Sequence, residues 1–162
     1  MFVLVRTMVY ASLFIAFFLV FLPARVLSWS GIRAPQAIGF LQIAGALVTL
    51  GGAALALACV FTFTFVGRGT PAPFDPPRRL VDRGPYGWIR NPMYLGATVA
   101  LLGAAMFYSS WGLALFALGF FLVTAAFVRL YEEPVLRRKF GAEYEAYCAR
   151  VGRWWPRRAR RH

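Results

Sequence analysis

Residues 93–130 read MYLGATVALLGAAMFYSSWGLALFALGFFLVTAAFVRL, two apolar arms separated by Tyr108-Ser109-Ser110-Trp111-Gly112. At 1.5 Å of rise per residue each arm approaches the thickness of a bilayer, and the break joins turn formers to interface aromatics. The stretch predicts a transmembrane helical hairpin. Asn91 and Pro92 stand directly before it. Asn is suited to accept a bond from the exposed first-turn amides, and Pro at the first helical position has its φ already set, so the first arm is expected to start at Pro92 with Asn91 as its cap.

Working outward, residues 67–90 carry prolines at 71, 73, 76, 77 and 85 together with Arg68, Arg78, Arg79, Arg83 and Arg90. Prolines at that density forbid a regular helix, so a structured loop is expected there. Before it, an apolar run from about Ala37 to Val66 predicts a second helix longer than a bilayer needs. The run from Thr7 to Leu22, ended by Pro23, predicts the first helix, just long enough to span if it extends into Ala24 to Leu27, with a short connector between Pro23 and Pro35; a cleaved leader is the lesser reading, since no small-residue cleavage site follows. A second basic cluster, Arg137 to Lys139, Arg150, Arg153 and Arg157 to Arg161, follows the hairpin. Cytoplasmic segments of membrane proteins hold the Lys and Arg, so the 67–91 loop and the tail are expected on the cytoplasmic side, with both termini there.

Composition agrees. The chain is 60% hydrophobic and 15% charged, with mean hydropathy +0.61, too apolar for an ordinary soluble domain. Its net charge of +12 is spent on segments that bracket apolar runs, which argues against a nucleic-acid surface. Cys59 and Cys148 form no spaced pair, and the one histidine is His162, so neither a disulfide framework nor a metal site is expected. The predicted fold is all-α: a polytopic membrane helix bundle of about four transmembrane helices plus a C-terminal amphipathic cytoplasmic helix. It forms a single membrane domain over 1–162, with two N-terminal spans in 1–66, the Pro/Arg-rich loop in 67–91, the hairpin in 92–131 and a cofactor-covering tail in 132–162.

Three further patterns point to chemistry or packing. Gly45 and Gly52, Gly96 and Gly103, and Gly112 and Gly119 each repeat at seven residues, a spacing that lets helix backbones approach closely. Glu132 and Glu133 fall at the expected C-terminal end of the second arm, where the helix dipole disfavours acids. Arg129, Arg137 and Arg138 are near enough in sequence to compensate them, and so would be a cationic ligand. Beyond them Leu136, Phe140, Tyr144, Tyr147, Cys148 and Val151 share one face of an amphipathic helix, which must cover either the membrane surface or the mouth of a site.

A short hairpin makes the start of its first arm and the end of its second neighbours. Helix-start amides for an anion, arginines for a carboxylate, acids for an amine and aromatic faces for a cation then converge. S-adenosylmethionine presents all the complementary groups. Residues 82–156 resemble the isoprenylcysteine carboxyl methyltransferases and the related phospholipid methyltransferases. Arg90, Pro92, Tyr94 and Gly96 match that family's Arg-His-Pro-x-Tyr-x-Gly pattern. Glu132, Glu133, Leu136, Phe140, Gly141, Glu143, Tyr144, Tyr147, Arg153 and Pro156 match its tail. Asn91 replaces the family's His and cannot take up a proton at neutral pH.

The resemblance implies methyl transfer from S-adenosylmethionine to a lipid or isoprenoid-linked acceptor reaching the site from the bilayer of the cytoplasmic membrane. Arg90, Asn91, Tyr94, Leu95, Gly96, Glu132, Glu133, Tyr144 and Tyr147 are the expected cofactor-binding residues. Glu132, Glu133 and Arg153 are the expected catalytic residues. A carboxylate acceptor needs no base, whereas an amine must lose a proton, with Glu132 or Glu133 as candidate. Rival readings are an NADPH-dependent membrane sterol or isoprenoid reductase, whose architecture is similar, and a non-catalytic membrane protein whose basic tail binds anionic lipid.

Overall fold

The computed structural model of the protein describes residues 9, 12–32, 34–35, 37–67 and 79–157. Five helices are described. α1 (Ser12–Trp29), α2 (Phe40–Val66) and α4 (Trp111–Phe140) are each long and apolar enough to cross a membrane. α3 (Pro92–Phe107) is equally apolar but has 16 residues, about 24 Å of rise, and completes the hairpin with α4. α5 (Ala142–Arg150) is the short tail helix. Among the described residues there is no strand, only an isolated parallel bridge between Ile89 and Gly152.

Two prolines shape the long helices. The first helix continues through Pro23, a little beyond the extension to Leu27 that spanning requires, and runs on to Trp29. A proline inside a helix removes one amide and crowds the carbonyl four residues back, and here the preceding turn widens to accommodate it. Ile15–Phe21 is π-helical, and the amide of Leu22 donates to the carbonyl of Phe17. The same device recurs in α4, where Val128–Glu132 is π-helical ahead of Pro134 and the amide of Glu133 donates to Val128. Helix four therefore does not end near Glu132. Both carboxylates lie inside a helix that continues to Phe140.

α3 is the centre of the bundle. On one side its glycines meet those of α2 in antiparallel register. A Cβ added at Gly52 would lie 2.5 Å from the carbonyl oxygen of Gly96, and one at Gly45 would lie 2.7 Å from that of Gly103. The seven-residue repeats thus pair α2 with α3, not the two arms of the hairpin. A Cβ at Gly119 would meet nothing within 4 Å among the described residues, and one at Gly112 would face Ser30 and Val26 of the α1 end. On its other side Ala97 and Leu101 of α3 pack with Ala117 and Phe120 of α4, and Phe14 and Phe18 of α1 close over them. The turn between the arms is as expected, with Ser110 capping α4 through a 3.2 Å bond from the Leu113 amide. α2 starts at Phe40, three residues later than expected.

Of the 67–91 loop, residues 68–78 and their four prolines lie outside the described residues. The remainder is ordered by a 3-10 turn, Gly84–Gly87, and by burial of Val81 and Tyr86 against Cys59 of α2. The tail is not one amphipathic helix. Gly141, at φ +51°, breaks it between α4 and α5, a left-handed conformation that glycine adopts without steric cost. Tyr144, Tyr147 and Val151 bury themselves with Leu80, Leu136, Phe140 and Cys148, so the apolar face of the tail covers the loop instead of the membrane surface.

Candidate active site

The start of α3, the π turn of α4, the 79–91 loop and α5 converge on one small cavity. Its walls include Phe63, Leu80, Tyr86, Val128, Leu136 and the two tail tyrosines, and its polar lining is Arg90, Asn91, Glu132 and Glu133. The free space is about 30 Å³, room for one water molecule. Leu80 also lines an open cleft of about 690 Å³ whose walls include Arg79, Arg83 and Phe140, a size in the ordinary range of ligand sites.

The two adjacent carboxylates diverge. Glu133, 4% exposed, accepts both prongs of the Arg153 guanidinium at 2.8 and 2.7 Å and lies 3.3 Å from Nη1 of Arg90. That fork geometry is the strongest protein arrangement for a carboxylate. Burying a charge is costly unless it is paired and hydrogen-bonded, and the two guanidiniums supply both. The carboxylate in turn raises the Arg153 guanidinium above its ordinary pKa. The expected compensators are not used: Arg137 pairs with Glu145 at 3.0 Å, and Arg129 and Arg138 are exposed.

Glu132 faces α3. Its Oε2 accepts the Tyr94 hydroxyl at 3.2 Å, and among the described residues it has no cationic partner. Arg90 also touches Cys148 Sγ, and among the described residues its buried Nε has no hydrogen-bond partner. The cavity therefore offers one unpaired carboxylate and one orphaned cationic donor on opposite members of the same cluster.

Asn91 occupies the cap position of α3 but does not cap it. Its backbone is placed as expected, yet its side chain makes no bond to the first turn. Nδ2 donates to the carbonyl of Arg153 at 3.1 Å, so the tail lies across the helix start and the Asn91 amide is turned toward it. The Arg90 amide donates to the Gly152 carbonyl at 2.8 Å, and the Tyr147 hydroxyl donates to the Tyr86 carbonyl at 2.7 Å. These bonds strap the tail over the cavity. Burial raises the pKa of Tyr86, Tyr144 and Tyr147 well above the ordinary phenol value, so all three remain neutral at physiological pH.

The structure thus brings together Arg90, Asn91, Tyr94, Glu132, Glu133, Tyr144, Tyr147 and Arg153. Gly96 stands apart, pressed against Gly52 and Ala56 of α2, where it serves helix packing. Leu95 is half-buried on the next turn of α3. Sequence reasoning missed Tyr86, Phe63 and Val128. Tyr86 had a signal in Gly84-Pro85-Tyr86-Gly87, a turn that aims one aromatic inward; the other two carry none beyond apolarity. Among the described residues no three His, Cys, Asp or Glu side chains are grouped to hold a metal ion.

A family model described as phospholipid methyltransferase matches residues 35–143. No curated protein matches the chain. The match spans α2, α3, α4 and both carboxylates, and ends just before Tyr144, so the straps of the tail fall outside it. Covering two thirds of the length and every membrane helix that builds the cavity, it places this chain in the phospholipid methyltransferase family of membrane methyltransferases.

Proposed function

We propose that the protein transfers a methyl group from S-adenosylmethionine to a nucleophile, amine or carboxylate, carried by a membrane lipid or isoprenoid, at the cytoplasmic boundary of the bilayer. The carrying observation is the division of labour between adjacent acids: Glu133 takes both arginines, which leaves Glu132 unpaired toward the cavity. The cofactor's charges suit this donor set. An ammonium or sulfonium is matched by Glu132 and by the faces of Phe63, Tyr86 and Tyr144, and a carboxylate by the orphaned Nε of Arg90. Space for one water does not admit the whole molecule, so entry requires the tail straps to open toward the larger cleft that Leu80 also lines.

S-adenosylmethionine, when bound, supplies an electrophilic methyl on a sulfonium. The chain's own contribution is placement and dryness. Val128, Leu136 and the tail tyrosines leave the cavity room for one water at most, and that dryness strengthens each charge interaction inside it. Tyr94 holds Glu132 in one orientation through its hydroxyl. An amine acceptor must surrender a proton before it can attack, and Glu132 is the group placed to receive it at Oε1; a carboxylate acceptor needs no such step. The absence of the family's histidine at Asn91 is no obstacle, since Asn91 here fastens the tail.

Calorimetry on the detergent-solubilised chain tests the reading, with NADPH as the parallel ligand. S-adenosylmethionine is expected to bind saturably, and Glu132→Gln to weaken it about tenfold, ~1.4 kcal/mol, with an unchanged thermal melt. Equal affinity in the variant would remove Glu132 from the site. Binding of NADPH alone would favour a reductase.

A further inference from the structure

The loop that follows α5 is aimed at the membrane. Arg153 grips Glu133 near the polar end of α4, yet the next side chain, Trp154, meets the ring of Phe121 at 5.0 Å in an edge-on contact. Phe121 precedes Glu133 by twelve residues, roughly 18 Å along the helix, and lies within the span of α4. From one residue to the next the chain turns away from the polar end and toward the apolar stretch. Leu118 and Leu122, which flank Phe121 on the helix surface, are 52% and 57% exposed; in a membrane helix that surface faces lipid.

Both stems of the loop are fixed. Gly152 is held by the Arg90 amide, and Nη1 of Arg157 donates to the carbonyls of Cys148 and Ala149 at 3.0 and 2.8 Å, closing the carbonyl end of α5. Gly152 also makes the turn possible, because any Cβ there would collide with the carbonyl oxygen of Trp155. What remains at the tip is Trp155, 79% exposed. A fully exposed indole is a poor water-facing group and a good interfacial one, since its ring is apolar and its N–H polar. Trp29 and Trp111, equally exposed, lie at the opposite ends of α1 and α4.

We propose that the 151–157 loop is a membrane anchor, with Trp155 inserted among the phospholipid headgroups beside the lipid-facing surface of α4. Its partner is the bilayer interface. Beyond the loop the sequence adds Arg158, Arg160 and Arg161, cations complementary to lipid phosphates. Arg153 belongs to the same loop, so the anchor holds the guanidinium on Glu133 and keeps the cavity covered.

The test is tryptophan fluorescence of the full chain in vesicles of phosphatidylcholine and phosphatidylglycerol. With Trp29, Trp88, Trp111 and Trp154 replaced by Phe, the remaining Trp155 is expected to emit to the blue of an aqueous indole. Lipids brominated near the headgroup should quench it at least twofold, and acrylamide weakly. Aqueous emission with strong acrylamide quenching and no response to brominated lipid would overturn the anchor. In the otherwise native chain, Trp155→Ser should lower the part of total emission that brominated lipid quenches; an unchanged part would also overturn it. Neither readout depends on methyl transfer.

Discussion

α3 is held by two seams of opposite character. Toward α2 the contact is backbone on backbone, with Gly45 and Gly52 set against Gly103 and Gly96 and Thr49 bonding the Ala100 carbonyl at 3.3 Å. Toward the tail the contact is a handful of polar bonds around Glu133, with aromatic rings behind them. The first seam has little slack, because at each glycine a Cβ would meet the backbone of the facing helix within 3 Å. The second is built from polar groups, each of which can be met by water once the tail lifts. The proposed function needs one side of the site rigid and the other able to open, and here the two kinds of seam flank the same helix.

The largest expected effect comes from breaking the rigid seam. Gly52→Val places a branched side chain where even a Cβ meets backbone 2.5 Å away, so the helices must part. The loss is expected to be about 3 kcal/mol or more, read as loss of a monodisperse, helical protein in detergent.

Breaking the other seam should spare the bundle. Glu133→Gln leaves the buried Arg90 without its anion, a loss of roughly 3 kcal/mol, at the low end for a buried pair because Arg153 is partly hydrated. The expected outcome is a normal helical spectrum with rapid tryptic cleavage confined to the tail. Cleavage throughout α3 and α4 would show that the two seams are not independent.

The smallest effect sharpens the comparison. Tyr147→Phe removes one bond to the Tyr86 carbonyl, ~1 kcal/mol, and should accelerate tail cleavage several-fold without exposing the bundle. It also carries a pH signature. Burial raises the Tyr147 phenol, so the docked tail holds its proton more tightly than the detached one. Docking is then unaffected by this group below the ordinary phenol value near ~10 and weakens as pH rises above it. Tyrosinate absorbance should show one fewer late-titrating phenol in Tyr147→Phe than in the wild type.

Much of the site is legible in the order of residues alone. The hairpin, its break at Tyr108 to Gly112 and the start at Pro92 follow from apolar length and turn chemistry, and the hairpin forces Asn91 and Glu132 to one end. Partner choice is not legible. Glu133 lies four residues from Arg129, Arg137 and, by one more, Arg138, yet it is met by Arg90 and Arg153, distant in sequence. Helical spacing cannot reveal this, because the π turn ahead of Pro134 rotates the acids away from the positions a regular α-helix would give them. The glycine repeats are visible, but a spacing of seven states only that some neighbour approaches closely.

Sequence by itself determined that this chain lives in a membrane, that α3 and α4 form a hairpin, and that its acids and arginines gather at one end of it. These follow from transfer free energies and turn geometry, which are local properties. Tertiary structure decided which acid is neutralised and which is left open, that Asn91 fastens the tail instead of capping α3, and that α2 is the partner of the α3 glycines. Those outcomes depend on distances between elements remote in the chain, and such distances exist only once the helices have packed.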